Sequence, residues 1–208
     1  MISSIIGLLL IGCGEKDDPG TKTKTPLWVF KTDGDPYQSK PYVSGDNVVF
    51  YAGSDTVENG LFAYSVNRNT GTLIWRTLDT LAYGSMSPVI YNDLVISGGT
   101  NPHALHLNNG THAWFYKDDT IPLLIYNNPL LAGNSVYFTS FLSVTKHVAS
   151  SGSLVWETEG EHFWSNLRNS KMVHKNGKLY FGDAYLYRMY AFDESSGHID
   201  LFVQVKKP

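Results

Sequence analysis

The chain carries seven histidines, nineteen carboxylates and a single cysteine, Cys13, and these are the groups whose chemistry has to be placed first. His103 and His106 stand three apart in a stretch patterned as a strand, where that spacing sends side chains to opposite faces. Nothing nearby is spaced to complete a metal site around them. The carboxylates form no recognisable catalytic frame, and the chain has neither a Gly-x-Ser-x-Gly elbow nor a phosphate-binding loop. A lone cysteine cannot form a disulfide within the chain. These patterns predict no catalytic residue, no metal and no cofactor. A net charge of -3 with no basic block argues against nucleic acid as a partner.

Cys13 has a more specific context. An apolar run from Ile5 to Leu10 is too short to span a bilayer as a helix and has the length of a signal-peptide core. Leu10-Ile11-Gly12-Cys13 resembles a bacterial lipobox, in which a small residue precedes the cysteine that receives lipid. The run departs from the usual pattern in having no Lys or Arg before it. Residues 1–12 are then a lipoprotein signal, and residues 13–25, polar and containing Pro19 and Gly20, form a lipidated flexible tether. Lipid on Cys13 would hold the protein to a membrane without spanning it. Lys16-Asp17-Asp18 resembles the acidic signal that sends some lipoproteins to the outer surface.

Two further patterns could mark recognition. Asp55-Thr56-Val57, Asp79-Thr80-Leu81 and Asp119-Thr120-Ile121 resemble an O-glycosylation sequon of surface and periplasmic proteins, or are ordinary polar loops. Acid followed by an aromatic recurs as Asp33 and Asp35 with Tyr37, Asp79 with Tyr83, Asp118 and Asp119 with Tyr126, and Glu161 with Trp164. Tyr37, Tyr83 and Trp164 fall at nearly equal offsets from the preceding strand. If their units are equivalent, they form an arc around one mouth and a candidate partner-binding rim, unless they pack into the core.

The elements that must carry these residues are strands. The chain is 42% hydrophobic and 13% aromatic, contains 19 Gly, and shows no long helical period. Apolar segments Val48-Val49-Phe50-Tyr51, Leu94-Val95-Ile96, Val136-Tyr137-Phe138 and Leu179-Tyr180-Phe181 each follow a tight-turn sequence rich in Gly, Asn and Asp. Each is read as the leading strand of a unit. Gly71, Gly110, Gly152 and Gly197 recur roughly every 40–45 residues, the period of propeller blades. Trp75, Trp114 and Trp156 each follow such a glycine by four positions.

This arrangement resembles the quinoprotein-type propeller repeat, in which Ala-Leu-Asp-x-x-x-Gly-x-x-x-Trp closes each blade. It stands here as Ala104-Leu105-His106 to Gly110 and Trp114, as Ala191-Phe192-Asp193 to Gly197, and as Asn69-Thr70-Gly71-Thr72-Leu73-Ile74-Trp75. Lys146 holds the alanine position of the third repeat, Leu201 the tryptophan position of the fourth, and Ala63 is read with two extra residues before Gly71. The resemblance implies an all-β fold: a β-propeller of four-stranded antiparallel blades over 26–208, with Trp75, Trp114 and Trp156 plugging the gaps between blades. Leu27-Trp28-Val29-Phe30 looks like a fifth outer strand for four repeats, so a partial ring is expected, either truncated or completed by another chain.

Quinone-dependent dehydrogenases share the repeat, but they are longer and hold their cofactor over an adjacent-cysteine disulfide with calcium, which this chain cannot form. The repeat is also similar to that of the propeller lipoproteins of the outer-membrane β-barrel assembly machinery, which work by contact alone. The resulting expectation is a non-catalytic, membrane-anchored, protein-binding or scaffolding module of the outer membrane, facing periplasm or cell surface. The alternatives are a surface glycan- or peptide-binding module and a remnant quinoprotein dehydrogenase domain.

Overall fold

Four antiparallel sheets of four strands each make up the fold. The computed structural model describes residues 25–34, 39–53, 61–82, 87–117, 125, 127–140, 143–159, 171–183 and 188–204. Blade 1 comprises β1 (Tyr42–Ser44), β2 (Asn47–Gly53), β3 (Leu61–Asn67) and β4 (Leu73–Asp79). Blade 2 comprises β5 (Val89–Tyr91), β6 (Leu94–Ser97), β7 (His103–His106) and β8 (His112–Phe115). Blade 3 comprises β9 (Leu130–Ala132), β10 (Ser135–Thr139), β11 (Ser143–Val148) and β12 (Leu154–Glu159). Blade 4 comprises β13 (Val173–Lys175), β14 (Lys178–Asp183), β15 (Arg188–Asp193) and β16 (Ile199–Gln204). Within each sheet, strands follow chain order as a meander.

The blades repeat to the level of single hydrogen bonds. A tight turn joins the first two strands, with positive φ at Gly45, Asn92, Gly133 and Asn176, residue types that tolerate the left-handed region. The turn between the third and fourth strands is tied back to that first turn. Arg68, Leu107, Ala149 and Glu194 each donate a backbone N–H to the carbonyl of Asp46, Asp93, Asn134 and Gly177 respectively, at 2.7–2.9 Å. A bulge falls at one position in every blade, after Ser65, Ala104, Lys146 and Ala191.

Two expectations need correction. The apolar segments beginning at Val48, Leu94, Val136 and Leu179 lie on the second strand of each blade, not the first. The leading strand is only three residues long, too short for period-2 alternation to reveal. In the first repeat, the small-residue slot belongs to Ser65 rather than Ala63. Ser65 pairs with Trp75 as Ala104 pairs with Trp114, so the repeat needs no inserted residues. Ala63 lies two positions away on the same face, which is why it passed for the slot.

The core lies between blades. Val49, Tyr51, Ala63 and Trp75 of blade 1 pack on Ile90, Val95 and Leu105 of blade 2. Ile96 and Ala104 pack on Val136 and Phe138 of blade 3. Tyr137 and Val144 pack on Leu179, Phe181 and Phe192 of blade 4. The second strands of blades 1 to 3 are buried along almost their whole length, which is why they read as near-continuous apolar runs. The leading strands adjoin in succession: β1 meets β5, β5 meets β9, and β9 meets β13. Among the described residues β13 makes no comparable contact with β1. The blades form an arc.

Candidate functional site

Several polar groups of the described residues meet at the joints between blades. Each joint begins with an outer-strand tryptophan seated on the turn glycine of the following blade. A Cβ on Gly110 would stand 2.5 Å from the Trp75 ring, one on Gly152 2.3 Å from the Trp114 ring, and one on Gly197 2.6 Å from the Trp156 ring. Only a residue without a side chain permits that approach, and the positive φ at these turns favours glycine independently. Trp75 Nε1 donates to the Leu107 carbonyl at 2.7 Å, and Trp156 Nε1 donates to the Glu194 carbonyl at 3.0 Å. Trp114 occupies the same seat, but its Nε1 finds no acceptor. Trp75 is buried, whereas Trp114 and Trp156 are half-buried.

A second element of the joint escaped sequence reading. Two residues after the tryptophan, Thr77 and Thr158 donate their hydroxyls to the carbonyls of Gly110 and Gly197, at 2.8 and 2.7 Å. Trp75-Arg76-Thr77 and Trp156-Glu157-Thr158 therefore act as two-pronged clasps. The repeated Trp-x-Thr was visible in the sequence, but its partner glycine lies in the next repeat. Blade 2 has Tyr116 in place of the threonine, and its ring packs edge-on against His147 at 4.8 Å.

Trp28 completes the series at the start of the arc. Its ring lies on Gly71, and its Nε1 donates to the Arg68 carbonyl at 2.7 Å. Residues 27–30 form no strand, although Trp28 makes an outer-strand joint with blade 1. Phe30 packs against Phe50 and Tyr64 at 6.2 and 5.8 Å.

Polar networks reinforce two joints, the first fully buried and the second partly exposed. Between blades 1 and 2, Asp79 accepts from Tyr51 Oη at 3.0 Å and lies 2.8 Å from His103 Nε2, while His103 Nδ1 faces the Asn101 carbonyl at 2.9 Å. Asp79 also caps the backbone N–H groups of Leu81 and Ala82. Burial opposes the charged carboxylate, but attraction to His103 and hydrogen bonds from His103, Tyr51 and Leu81 outweigh it and hold Asp79 below its usual range. Burial, then the neighbouring Asp79 charge, pushes the Tyr51 hydroxyl well above its usual value.

Between blades 3 and 4, Glu194 accepts from Tyr137 Oη at 2.9 Å and lies 2.7 Å from His174 Nε2. The hydrogen bond with His174 is the main cause holding Glu194 below its ordinary value. Burial, then Glu194, raises Tyr137. Lys146, in the small-residue slot of blade 3, is accommodated by running out along the Tyr137 ring to the Glu194 carbonyl at 3.1 Å.

The His103–Asp79 pair has the spacing of a general base and its orienting acid, yet both side chains are fully buried. No reacting atom could reach them, so the pair acts as a joint. Asp79 therefore does not ring a mouth as a surface carboxylate, and its place in Asp79-Thr80-Leu81 has a packing reason. Asp33 is likewise engaged, with Tyr64 and in an ion pair with Arg76. His103 and His106 are both on β7, three apart, and among the described residues no group of three metal-ligating side chains forms. With a single cysteine in the chain, these residues do not fit a calcium-bound quinone on a cysteine pair.

Residues preceding the leading strands of blades 1, 2 and 3 are strung together by hydrogen bonds. Lys40 donates its N–H to Ser87 Oγ at 2.7 Å, and Ser87 donates its own to Asn128 Oδ1 at 2.7 Å. The segments just upstream carry the rim candidates. Tyr37, Tyr83 and Trp164, like Cys13, lie outside the described residues, as do Asp55-Thr56-Val57, Asp119-Thr120-Ile121, Tyr126 and Glu161.

Four-stranded meanders in an arc, joined by tryptophan on glycine, define a β-propeller built of quinoprotein-type repeats. A family model described as outer membrane protein assembly factor BamB matches residues 20–200. The chain belongs to this family. Among solved structures it is similar to BamB from Moraxella catarrhalis, at 15% identity and a TM-score of 0.67, covering 86% of this chain and 51% of that one. It is also similar to quinohemoprotein alcohol dehydrogenase from Comamonas testosteroni, at 14% identity and a TM-score of 0.61, covering 83% and 35%. At these identities the likeness is one of fold. Among curated proteins, tetrathionate hydrolase of Acidithiobacillus ferrooxidans is 27% identical over 186 residues, covering 73% of this chain and 34% of that protein. The chain thus spans a third to a half of the length of these relatives.

Proposed function

We propose that this chain is a membrane-anchored lipoprotein, held through Cys13, whose propeller works as a non-catalytic protein-binding or scaffolding module of the cell envelope. The observation that carries the reading is the family match across residues 20–200. The consumption of the His103–Asp79 and His174–Glu194 pairs in joints agrees with it, since binding needs a rigid frame more than a reactive group. Tyr37, Tyr83 and Trp164 are the proposed contact residues, because aromatics anchor most protein interfaces. The family match and the Cys13 motif with its tether support an envelope location.

The test combines anchoring and capture. Cys13→Ser should release the protein from membranes, whereas co-sedimentation at the mature mass would refute lipid anchoring. Replacing Tyr37, Tyr83 and Trp164 by Ala should abolish crosslinking to an envelope protein at an unchanged melting temperature. Retained crosslinking with lost stability would return these residues to the core. A catalytic reading is favoured by the tetrathionate hydrolase relative and the dehydrogenase fold. Tetrathionate consumption or quinone-dependent dye reduction by the purified chain would establish it.

A further inference from the structure

The joints of the arc are not equally bonded. In the joint between blades 1 and 2, and again between blades 3 and 4, a tryptophan N–H and a threonine hydroxyl donate across to carbonyls of the following blade, and a carboxylate network adds to them. Between blades 2 and 3 those bonds are replaced or unmade. Trp114 Nε1 is buried without an acceptor. Tyr116 stands where the clasp threonines stand. The Gly152 carbonyl, which a clasp would engage, is instead bonded by His147 Nδ1 at 3.0 Å, from within blade 3 itself. Strand register places His147 where Leu105 and Phe192 stand in blades 2 and 4. With Nδ1 donating to that carbonyl, Nε2 is left as an acceptor, and it is buried with no donor. Thr145, at the position of His103, is also buried, and its Oγ1 has no partner. What holds this joint is apolar packing of Ile96 and Ala104 on Val136 and Phe138, with Tyr91 Oη bonded to Asn134 Oδ1 at the surface.

We propose that the joint between blades 2 and 3 is the hinge of the arc, at which blades 1 and 2 part as a unit from blades 3 and 4, and that acid drives the parting through His147. Opening admits water to Trp114 Nε1, Thr145 Oγ1 and His147 Nε2, polar atoms that the closed joint leaves unmet. Facing His147 are the Tyr116 ring from blade 2 at 4.8 Å, the titratable group on that side, and the Phe138 ring from its own blade at 5.5 Å. No carboxylate among the described residues offsets a charge there, and burial holds His147 down at about 4. In the open joint it regains its ordinary value near 6.5, so opening takes up a proton. The closed joint is therefore favoured above about pH 6.5 and loses ground as pH falls toward 4. The histidines of the other two joints, His103 and His174, each have a carboxylate beside them, so a proton there meets a counter-charge. The hinge does not depend on which partner the propeller binds.

The Gly110 and Gly152 amides are two copies of one probe. Each donates to the carbonyl four residues back at 2.8 Å, beneath the tryptophan of the preceding blade. Hydrogen–deuterium exchange, read by NMR on the full chain carrying Cys13→Ser and corrected for intrinsic rates, compares them directly. At pH 7 Gly152 should exchange at least about tenfold faster than Gly110. That excess should grow on the order of a hundredfold by pH 4, the span His147 has between the closed and open joint. Tyr116→Thr combined with His147→Leu rebuilds the bonding of the first joint, and should bring Gly152 to the Gly110 rate and remove the acid response. If that pair fails to fold, Thr77→Val carries the test: deleting the clasp of the first joint should raise Gly110 exchange toward that of Gly152 without making it acid-sensitive. Equal exchange at the two glycines at both pH values would overturn the proposal. So would acid that accelerates both alike, an acid response that survives the double substitution, or Thr77→Val leaving Gly110 exchange unchanged.

Discussion

Gly110→Ala and Gly133→Ala are the same chemical change at two turns with the same sign of φ, and the fold assigns them very different costs. Gly133 has φ +57 with nothing within 4 Å of a Cβ built on it. Alanine there bears only the left-handed penalty, about 1–2 kcal/mol. Gly110 has φ +70, so that penalty is shared, but its Cβ would lie 2.5 Å from both the Trp75 ring and Thr77 Oγ1. Trp75 cannot retreat without stretching its bond to the Leu107 carbonyl, nor Thr77 without losing the Gly110 carbonyl. Overpacking adds about 1–3 kcal/mol, and one weakened hydrogen bond adds about 0.5–1.5 kcal/mol. The sum for Gly110→Ala is about 3–6 kcal/mol, two to three times that for Gly133→Ala. Urea unfolding followed by tryptophan fluorescence measures both. At about 2–3 kcal/mol per molar, the midpoint should fall by roughly 0.5 M for Gly133→Ala and by well over 1 M for Gly110→Ala. Equal shifts, or a larger one for Gly133→Ala, would refute the view that tryptophan on glycine joins the blades.

Three further outcomes follow from the joints. Trp75→Phe should cost more than Trp114→Phe in denaturant midpoint, because only Trp75 forfeits an indole hydrogen bond. Burial lowers His147 to about 4, with Nδ1 bonded to the Gly152 carbonyl and Nε2 without a partner. The folded state therefore disfavours the proton that the unfolded chain accepts near pH 6.5. Stability is full above that pH and falls by about 3 kcal/mol as pH drops toward 4. His147→Leu, matching Leu105 at the equivalent position, should flatten the melting temperature over that window. Asp79 has its folded pKa lowered, so its contribution is present above the unfolded value near 4 and drains as pH falls below it. Asp79→Asn should lower stability at neutral pH and remove part of the acid sensitivity below about pH 4, measured by denaturation across a pH series.

The sequence by itself determined the repeat. Turn residues before an apolar run, and a glycine four positions before Trp75, Trp114 and Trp156, are local features, and local spacing survives without knowledge of the partner. Trp28, Lys146 and Leu201 could likewise be recognised as standing at repeat positions. Only the tertiary structure decided which glycine each tryptophan meets, since Trp75 bonds a carbonyl 32 residues further on, in another blade. It also decided that Asp79 turns inward to Tyr51 and His103, where its sequence neighbourhood suggested a surface loop. The clasp threonines look like ordinary strand threonines until the following blade is in place. That Met189 is exposed while Ala63 and Val144, at the equivalent register positions, are buried could not be read from residue types. Met189 is as apolar as they are, and burial is a property of what packs against a side chain rather than of the side chain itself.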